Sequence, residues 1–170
     1  MDRGIGSILV VEDNPNEQLL IKHAFNELGA KDAIHVLNDG DDAIAYLNGK
    51  GQFCDRQKFP FPTFLLTNLN MPRVNGFELL SFIKRSKLII IPTIVLTTSC
   101  DLDDIKQAYL LGVNAFHKKP TEPEGFLRLL KRLYDYWHEV ELPDIDESGN
   151  LKQVECAGQF GKHIRPFIEG

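Results

Sequence analysis

Polar side chains suited to phosphoryl chemistry follow four apolar segments of this 170-residue chain. Glu12 and Asp13 follow the first segment, Asn68 a later one, and Thr97 and Lys119 two more. Carboxylates hold Mg²⁺ through oxygen, while a hydroxyl and an ammonium group stabilise a transferred phosphoryl group. Each residue alone has an ordinary explanation: Asp13 could assist a helix cap and Lys119 could lie in solvent. Together they predict one site, provided that the fold brings the segments side by side.

Strands and helices alternate along the hydrophobic pattern. The strands are short apolar runs, as is typical of parallel strands covered on both faces, and are predicted at residues 8–11, 33–37, 64–67, 93–96 and 115–118. The helices are predicted at residues 15–28, 41–47, 76–85, 101–111 and 122–140. In the first helix Asn14 is the expected N-cap, Pro15 the first helical residue and Glu17 the capping-box partner.

Five βα units in succession predict an α/β fold. We expect a doubly wound five-stranded parallel sheet with helices on both faces, because each crossover is right-handed. The expected strand order is the flavodoxin-like 2-1-3-4-5, in which ligands bind outside the carboxyl ends of the strands. One domain is predicted over residues 1–142, and residues 143–170 form a tail without a separate effector domain.

The composition argues against two classes of partner. The formal net charge is -5, whereas a nucleic-acid surface needs a basic face. No run reaches the ~18 apolar residues of a membrane span, and the first residues lack a signal-peptide pattern. Cys54, Cys100 and Cys156 lie far apart and are odd in number, which is typical of reduced thiols. We therefore expect a cytoplasmic protein that binds neither nucleic acid nor membrane.

Four short motifs carry a resemblance to a known family. They are Val-Val-Glu-Asp-Asn at 10–14, Asn-Leu-Asn-Met-Pro at 68–72, Leu-Thr-Thr-Ser at 96–99 and Lys-Lys-Pro at 118–120. With these motifs the chain resembles the receiver domain of response regulators in two-component signalling, over roughly residues 5–140. Its long loop before the third strand and the Tyr- and Trp-rich end of its last helix look most like the small stand-alone regulators paired with bacterial phytochromes.

The resemblance implies a metal site at the acidic pair. Glu12 and Asp13 would form this pair, with Asp13 a direct metal ligand, and Asn70 would offer its backbone carbonyl oxygen. In the family the loop after the third strand reads Asp-Leu-x-Met-Pro, and its aspartate accepts a phosphoryl group from a histidine kinase. This chain has Asn68 there.

The resemblance also implies three further site residues. Thr97 would be the switch hydroxyl and Lys119 the lysine that the family places at the site. Phe116 falls at the aromatic switch position, where it can swing in or out without a hydroxyl to hydrogen-bond.

The departure at Asn68 puts the activity of the family in question. An amide is not an anionic nucleophile, and the metal site loses one negative charge. A unit charge pair at ~4 Å contributes about 4 kcal/mol at an intermediate dielectric, and half of that weakens Mg²⁺ by roughly one to two orders of magnitude. We therefore expect weak or absent Mg²⁺ binding, with Asn68 a weakened ligand.

The leading functional hypothesis is a phosphorylation-independent pseudo-receiver, a binding module and not an enzyme. Its expected partner is a histidine kinase, a phosphotransfer protein or a second copy, docked on the face from the fourth to the fifth helix. The alternative is an ordinary phosphoaccepting receiver whose aspartate has been replaced by Asn68 through engineering or chemistry. The intact acidic pair, Thr97 and Lys119 favour that alternative. A pure oligomerisation scaffold ranks last.

An apolar stripe runs along the last helix. Phe126, Leu130, Leu133, Trp137 and Val140 recur at steps of four and three. The first half is expected to pack on the sheet, whereas Trp137 and Val140 are predicted to extend beyond the core. Since relatives dimerise through this helix and the neighbouring strand, a homodimer seam is expected there.

Two apolar segments outside the regular pattern are expected to pack against the protein. The loop at residues 49–62 carries Phe53, Phe59 and Phe61, which cover the sheet edge or form a partner surface, and covering is favoured. Residues 87–91 read as a buried extension of the fourth strand, with an exposed apolar patch as the alternative. No histidine is assigned to a metal or to catalysis; the five are His23, His35, His117, His138 and His163.

Overall fold

The computed structural model describes residues 6–30, 34–86 and 90–152. Over these ranges five parallel strands form one sheet in the order 2-1-3-4-5. The strands are β1 (Ile8–Val11), β2 (Ile34–Leu37), β3 (Phe64–Thr67), β4 (Thr93–Thr97) and β5 (Ala115–Lys118). The helices are α1 (Pro15–Glu27), α2 (Gly40–Leu47), α3 (Gly76–Arg85), α4 (Leu102–Leu110) and α5 (Pro123–Glu139). The predicted doubly wound parallel fold is confirmed.

The carboxyl ends of β1, β2 and β3 lie level with one another, and β4 extends two residues beyond the end of β3. Val11, the last residue of β1, pairs with Leu37 at the end of β2 and with Thr67 at the end of β3. At the other side of the sheet, Thr97 at the end of β4 pairs with Lys118 at the end of β5. The residues that follow each strand therefore emerge along one edge.

Backbone hydrogen bonds continue the ladder by one residue at three of these ends. The N–H of Glu12 donates to the Leu37 carbonyl, and that of Asn68 to the Val11 carbonyl, each at 2.9 Å. The N–H of Lys119 donates to the Thr97 carbonyl at 2.8 Å. These bonds fix the backbone from which the polar side chains project, so the sheet itself positions them.

Each face of the sheet carries its own layer of helices. Along β1, Ile8 and Val10 pack with α1 and α5, whereas Leu9 and Val11 pack with α2 and α3. A third apolar cluster joins Val95 of β4 to α3 and α4. The two-residue alternation of a strand thus serves two cores, which explains why β1 reads as an unbroken apolar run.

The long loop between α2 and β3 packs against the protein itself. Phe53 and Phe61 are buried, and Phe59 packs beside them. The rings of Phe53 and Phe59 approach Tyr46 of α2 at centroid distances of 5.2 and 6.0 Å. Arg56 donates to the carbonyls of the last turn of α2, which suits the negative end of a helix dipole. Of the two alternatives, covering of the sheet edge is the one observed.

The expectation that Trp137 lies beyond the core is wrong. Trp137 is buried, and its ring stacks on Phe64 of β3 at a centroid distance of 6.0 Å. Val140 also packs against this cluster. The extra length of α5 therefore packs on its own sheet, where Trp137 covers Phe64 of β3. The ring of the preceding residue, Tyr136, lies 5.3 Å from that of Trp137 between centroids, and this residue is 61% exposed.

The described part of the tail forms a small hairpin. Ile145 and Leu151 make one antiparallel bridge, and the turn between them ends at Gly149, whose φ is +82°. A Cβ on Gly149 would lie 2.5 Å from the ring of Phe61, so only glycine allows this approach. The hairpin therefore covers the phenylalanine-bearing loop.

Several predicted features lie outside the described residues. These are residues 87–89, residues 153–170 with Cys156 and His163, and Ala33 at the start of the second strand. Ile90 is exposed and Ile91 buried, and neither belongs to β4, so the expected strand extension is absent at these two positions. No helix among the described residues has the length and hydropathy needed to cross a membrane.

Candidate functional site at the carboxyl ends of the strands

The strand ends bring the acidic pair, position 68 and the lysine together. Glu12 and Lys119 are buried, and Asp13 and Asn68 are partly buried. Asn70 is exposed, but its backbone carbonyl faces Asn68. The predicted convergence of these residues is therefore observed.

The amide of Asn68 uses both of its ends inside the protein. Its Nδ2 lies 3.4 Å from Glu12 Oε1, 3.3 Å from Asp13 Oδ1 and 3.3 Å from the Asn70 carbonyl oxygen. Its Oδ1 accepts a hydrogen bond from the N–H of Leu69 at 2.8 Å. The opposite orientation of the amide would set an oxygen against three acceptors, so the contacts fix the orientation.

This arrangement places a hydrogen-bond donor where a hard cation would need oxygen ligands. The three oxygens that the resemblance implies as metal ligands all face an N–H₂ donor, whereas Mg²⁺ requires oxygen from every side. Among the described residues no group of three or more His, Cys, Asp or Glu side chains is arranged to hold a metal ion. The amide thus takes the position between the ligands that a cation would need.

Glu12 is the most heavily used carboxylate of the site. It accepts from Lys119 Nζ, from Asn68 and from the N–H of Asn14. Burial raises the pKa of Glu12, and the attraction of Lys119 and the Asn14 N–H oppose the rise without cancelling it. A buried carboxylate needs such partners to remain ionised.

Lys119 has a second partner that the sequence did not reveal. Its Nζ contacts Glu17 Oε2 as well as Glu12 Oε2, and the side chain of Lys119 is 4% exposed. Glu17 is the third residue of α1. The only sequence indication was the capping-box spacing from Asn14, and that spacing predicts a different contact.

Gln18 was also missed. Its Nε2 donates to the Glu12 carbonyl at 2.6 Å and to Asn38 Oδ1 at 2.9 Å. It therefore ties the first turn of α1 to the ends of β1 and β2, behind the acidic pair. A glutamine at this place in a helix carries no distinctive sequence pattern.

Thr97 and Phe116 border the site from the side of β4 and β5. The Thr97 hydroxyl oxygen accepts the N–H of Ser99 at 3.2 Å, and Ser99 Oγ donates to Asp104 on α4. Phe116 is partly buried against the cluster that contains Leu69. Within the described ranges no hydrogen bond joins the Thr97 hydroxyl to the side chain of Asn68 or Lys119.

The loop after Asn68 is tightly held. A Cβ on Gly76 would lie 2.3 Å from the Asn68 carbonyl oxygen, so glycine is required there. Arg73, with a φ of +61°, pairs with the buried carboxylate of Asp39, the N-cap of α2. Burial would raise the pKa of Asp39, but hydrogen bonds from the N–H groups of α2 and from Arg73 outweigh it and lower the pKa.

A family model matches this architecture over most of its length. The response regulator receiver domain matches residues 8–131, which include every strand and the acidic, amide and lysine positions described above. The chain belongs to this receiver family. It is therefore a response regulator receiver of two-component signalling, and the resemblance in the motifs is confirmed at the level of the family.

The match to this chain covers most of the length of two similar proteins. The probable methanogenesis regulatory protein FilR2 of Methanothrix harundinacea is 40% identical over 134 residues, which cover 76% of this chain and 82% of that protein. Response regulator Rcp1 of Synechocystis is 32% identical over 138 residues, 80% of this chain and 92% of Rcp1. The Mn²⁺-bound form of Rcp1 matches with a TM-score of 0.73.

A phosphorylated relative has the same fold. The structure of the phosphorylated cyanobacterial phytochrome response regulator RcpA matches with a TM-score of 0.75 at 30% identity. The match covers 83% of this chain and all of RcpA. The similarity to phytochrome-associated regulators, expected from the loop and the last helix, is thus observed.

Proposed function

We propose that this receiver acts by binding other proteins and does not accept a phosphoryl group. The observation that carries the proposal is the set of hydrogen bonds made by the Asn68 amide. Its nitrogen donates to the carboxylates of Glu12 and Asp13, and its oxygen accepts the N–H of Leu69. A phosphoacceptor needs a free carboxylate oxygen to attack phosphorus. Asn68 has no anionic oxygen, and its one oxygen already accepts a hydrogen bond.

The proposal includes weak Mg²⁺ binding. Rcp1 has a Mn²⁺-bound form, and the acidic pair of this chain is intact, so residual affinity for a divalent cation remains. The charge lost at position 68 lowers this affinity. The N–H₂ group of Asn68 lowers it further, because it faces Asp13 Oδ1 and the Asn70 carbonyl oxygen. A cation would have to displace the amide and break three hydrogen bonds.

The surface proposed for partners runs from α4 to α5. Leu102, Tyr109 and Leu110 of α4 are 80%, 51% and 65% exposed, which is unusual for large apolar side chains on one helix. A histidine kinase or a phosphotransfer protein is the partner that the family implies. On α5, Tyr136 remains exposed for a homodimer seam, whereas Trp137 does not.

A second candidate is an ordinary phosphoaccepting receiver with Asn68 in place of its aspartate. The retention of the other groups favours it: Glu12 and Asp13 flank position 68, and Lys119 and Thr97 occupy the neighbouring strand ends. These residues are the ones from which the family builds its phosphorylation site.

Intact-mass measurement after incubation with Mg²⁺ and acetyl phosphate separates the two. We expect the native chain to keep its mass and the Asn68→Asp variant to gain one phosphoryl group. In that variant the new carboxylate oxygen attacks phosphorus, the bond from phosphorus to the acetate oxygen breaks, and acetate leaves. A phosphoryl group on the native chain would overturn the proposal, because another side chain such as Asp13 would then be the acceptor.

If neither protein gained mass, the phosphoaccepting receiver would be rejected, and the phosphorylation-independent binding module would remain as the candidate. A partner assay then tests the first directly. Affinity for a cognate kinase, measured with and without acetyl phosphate, should be the same for the native chain.

A further inference from the structure

Lys119 is a buried cation held between two carboxylates. Its side chain is 4% exposed, and its Nζ contacts Oε2 of Glu12 and Oε2 of Glu17. Burying an ammonium group is costly unless it is paired and hydrogen-bonded. Since Asn68 presents its amide to Glu12, Asp13 and Asn70 and not to Lys119, the partners of the lysine lie on the β1 and α1 side of the site.

The carboxylate of Glu17 is available to Lys119 because Glu12 accepts the N-cap N–H that a capping-box glutamate would otherwise accept. In a capping box the third helical residue accepts the N–H of the N-cap residue. Here the Asn14 N–H donates instead to Glu12 Oε1 at 3.1 Å, although the Asn14 side chain accepts from the Glu17 N–H in the expected way. The carboxylate of Glu17 is thereby released to reach Lys119.

The same Asn-x-x-Glu spacing at the start of α3 forms a complete capping box. Asn75 and Glu78 at the start of α3 make both hydrogen bonds, with the Asn75 N–H donating to Glu78 Oε2 at 2.9 Å. The two helices therefore share the spacing Asn-x-x-Glu but use the glutamate differently. Glu78 is a matched reference for a glutamate that only caps a helix.

We propose that Glu17 is a positioning residue that holds the Lys119 ammonium beside Glu12 and away from position 68. This assignment deepens the proposed function, since a lysine neutralised by two carboxylates attracts an anion at position 68 less strongly.

The first test observes the ammonium group in the native chain. A buried ammonium held by two carboxylates exchanges its protons slowly, and nitrogen-15 NMR can then detect it; Lys119→Arg assigns the resonance by removing it. We expect the resonance in the native chain and in Glu78→Gln, and its loss or a large shift in Glu17→Gln. An unchanged resonance in Glu17→Gln would overturn the proposal.

Folding is controlled in the same samples. The backbone amide spectrum of Glu17→Gln should retain the native pattern, because the substitution keeps the size of a side chain that is 24% exposed. Glu17→Asp adds a second variant, which retains the charge but is one methylene shorter. Glu17→Asp should also speed the exchange of the Lys119 ammonium protons. Exchange as slow as in the native chain would count against a contact between Lys119 and the carboxylate of Glu17.

The second test measures competition for the lysine. In the Asn68→Asp background, Glu17→Gln should raise the initial rate of phosphorylation by acetyl phosphate by about threefold or more, a change within the reach of one charge-assisted hydrogen bond. Glu78→Gln should leave the rate of the Asn68→Asp protein unchanged. An equal or lower rate with Glu17→Gln would show that Glu17 does not restrain Lys119.

The two proposals fail separately. A phosphoryl group on the native chain would end the phosphorylation-independent function but leave the resonance test intact. A resonance insensitive to Glu17 would end the positioning role and leave the function of the chain unaffected.

Discussion

At the scale of single residues, exchange of one carboxylate oxygen for a nitrogen changes what the site holds. An aspartate at position 68 would add a third carboxylate beside Glu12 and Asp13, and their mutual repulsion would favour a bound cation or protonation. Asn68 instead donates to both carboxylates and to the Asn70 carbonyl. The acidic pair is satisfied from within the chain, so its retention does not by itself require a metal.

Calorimetric titration with Mg²⁺ tests this balance. We expect weak or undetectable binding by the native chain and about ten- to hundredfold tighter binding by Asn68→Asp, from the restored charge. Asn70→Ala is the matched control, because the resemblance assigns this residue only its backbone carbonyl, and it should behave as the native chain does. A tight one-to-one Mg²⁺ site in the native protein would contradict the argument.

The residues that the sequence predicted and Glu17, one of the two that it missed, differ in a physical way. Glu12, Asp13 and Lys119 follow buried strands, and the register of a parallel sheet brings such positions together. Glu17 lies on a helix, and its spacing from Asn14 matches that of Glu78 from Asn75. What distinguishes the two glutamates is a hydrogen bond from Asn14 to Glu12, which no local pattern records.

At the scale of elements, the loop after β3 is fastened to the start of α2. Arg73 reaches Asp39, whose carboxylate also accepts the N–H groups of Asp41 and Asp42 as the N-cap of the helix. The Gly40 N–H donates to the Val74 carbonyl at 3.0 Å. The loop that follows Asn68 is therefore anchored by a charge pair and a backbone bond.

Asp39→Asn isolates the charge in this contact. Asparagine is also a good N-cap, so the variant keeps the cap and loses the pairing with Arg73; we expect a loss of about 1–2 kcal/mol of stability near neutral pH. Because the folded pKa of Asp39 lies below its ordinary value of 3.8, the stabilisation is complete above that value. It is lost as the pH falls through the folded pKa.

Urea unfolding at a series of pH values measures this effect. The gap between the native chain and Asp39→Asn should close as the pH falls below 3.8. Asp41→Asn is the control, since Asp41 is exposed and its carboxylate is 4.0 Å from Arg73. Its stability should stay within about 0.5 kcal/mol of the native value.

The last helix shows where a hydrophobic pattern stops being informative. Its stripe correctly predicted the packing of Phe126, Leu130 and Leu133. It could not indicate that the sheet still lies beneath Trp137, because the extent of a helix over a sheet depends on the crossing angle and the strand length. Both are properties of the tertiary structure.

Trp137→Ala tests the corrected assignment. Removal of a buried ring stacked on Phe64 should cost about 3–5 kcal/mol in the free energy of unfolding. Tyr136→Ala, which truncates the neighbouring but exposed ring, should cost less than about 1 kcal/mol. If the two variants lost similar amounts of stability in urea unfolding, the assignment of Trp137 to the core would be wrong.

At the scale of the whole molecule, the fold followed from the sequence almost completely. The bounds of β1, β3, β5 and α3 match the prediction. For β1 and β3 the reason is burial on both faces, which leaves apolar runs between polar turns. The hairpin at Ile145 and Leu151 was not predicted. It is held by local hydrogen bonds across the turn, several of them to the carboxylate of Asp146, and by contact with Phe61, and none of these produces a periodic pattern.

The two edge strands of the sheet make the stability of the molecule depend on pH. His35 lies on β2 beside the rings of Tyr46 and Phe59, and His117 lies on β5. Burial lowers the pKa of both histidines below the ordinary value of 6.5. The unfolded chain therefore takes up protons near pH 6.5 that the folded chain does not, and stability is lost as the pH falls from there toward the folded pKa values.

We expect the urea midpoint of the native chain to decrease as the pH is lowered from about 7.5 to about 6. The double variant with His35→Gln and His117→Gln should lose most of this pH dependence. Comparison at each pH removes contributions that the two proteins share, including that of Glu12, whose raised pKa acts in the opposite direction. If the two curves ran parallel through this range, the imidazoles would be protonated as easily in the folded sheet as in the unfolded chain. The edges of the sheet would then be open to water at both histidines, contrary to the packing of His35 against Tyr46 and Phe59.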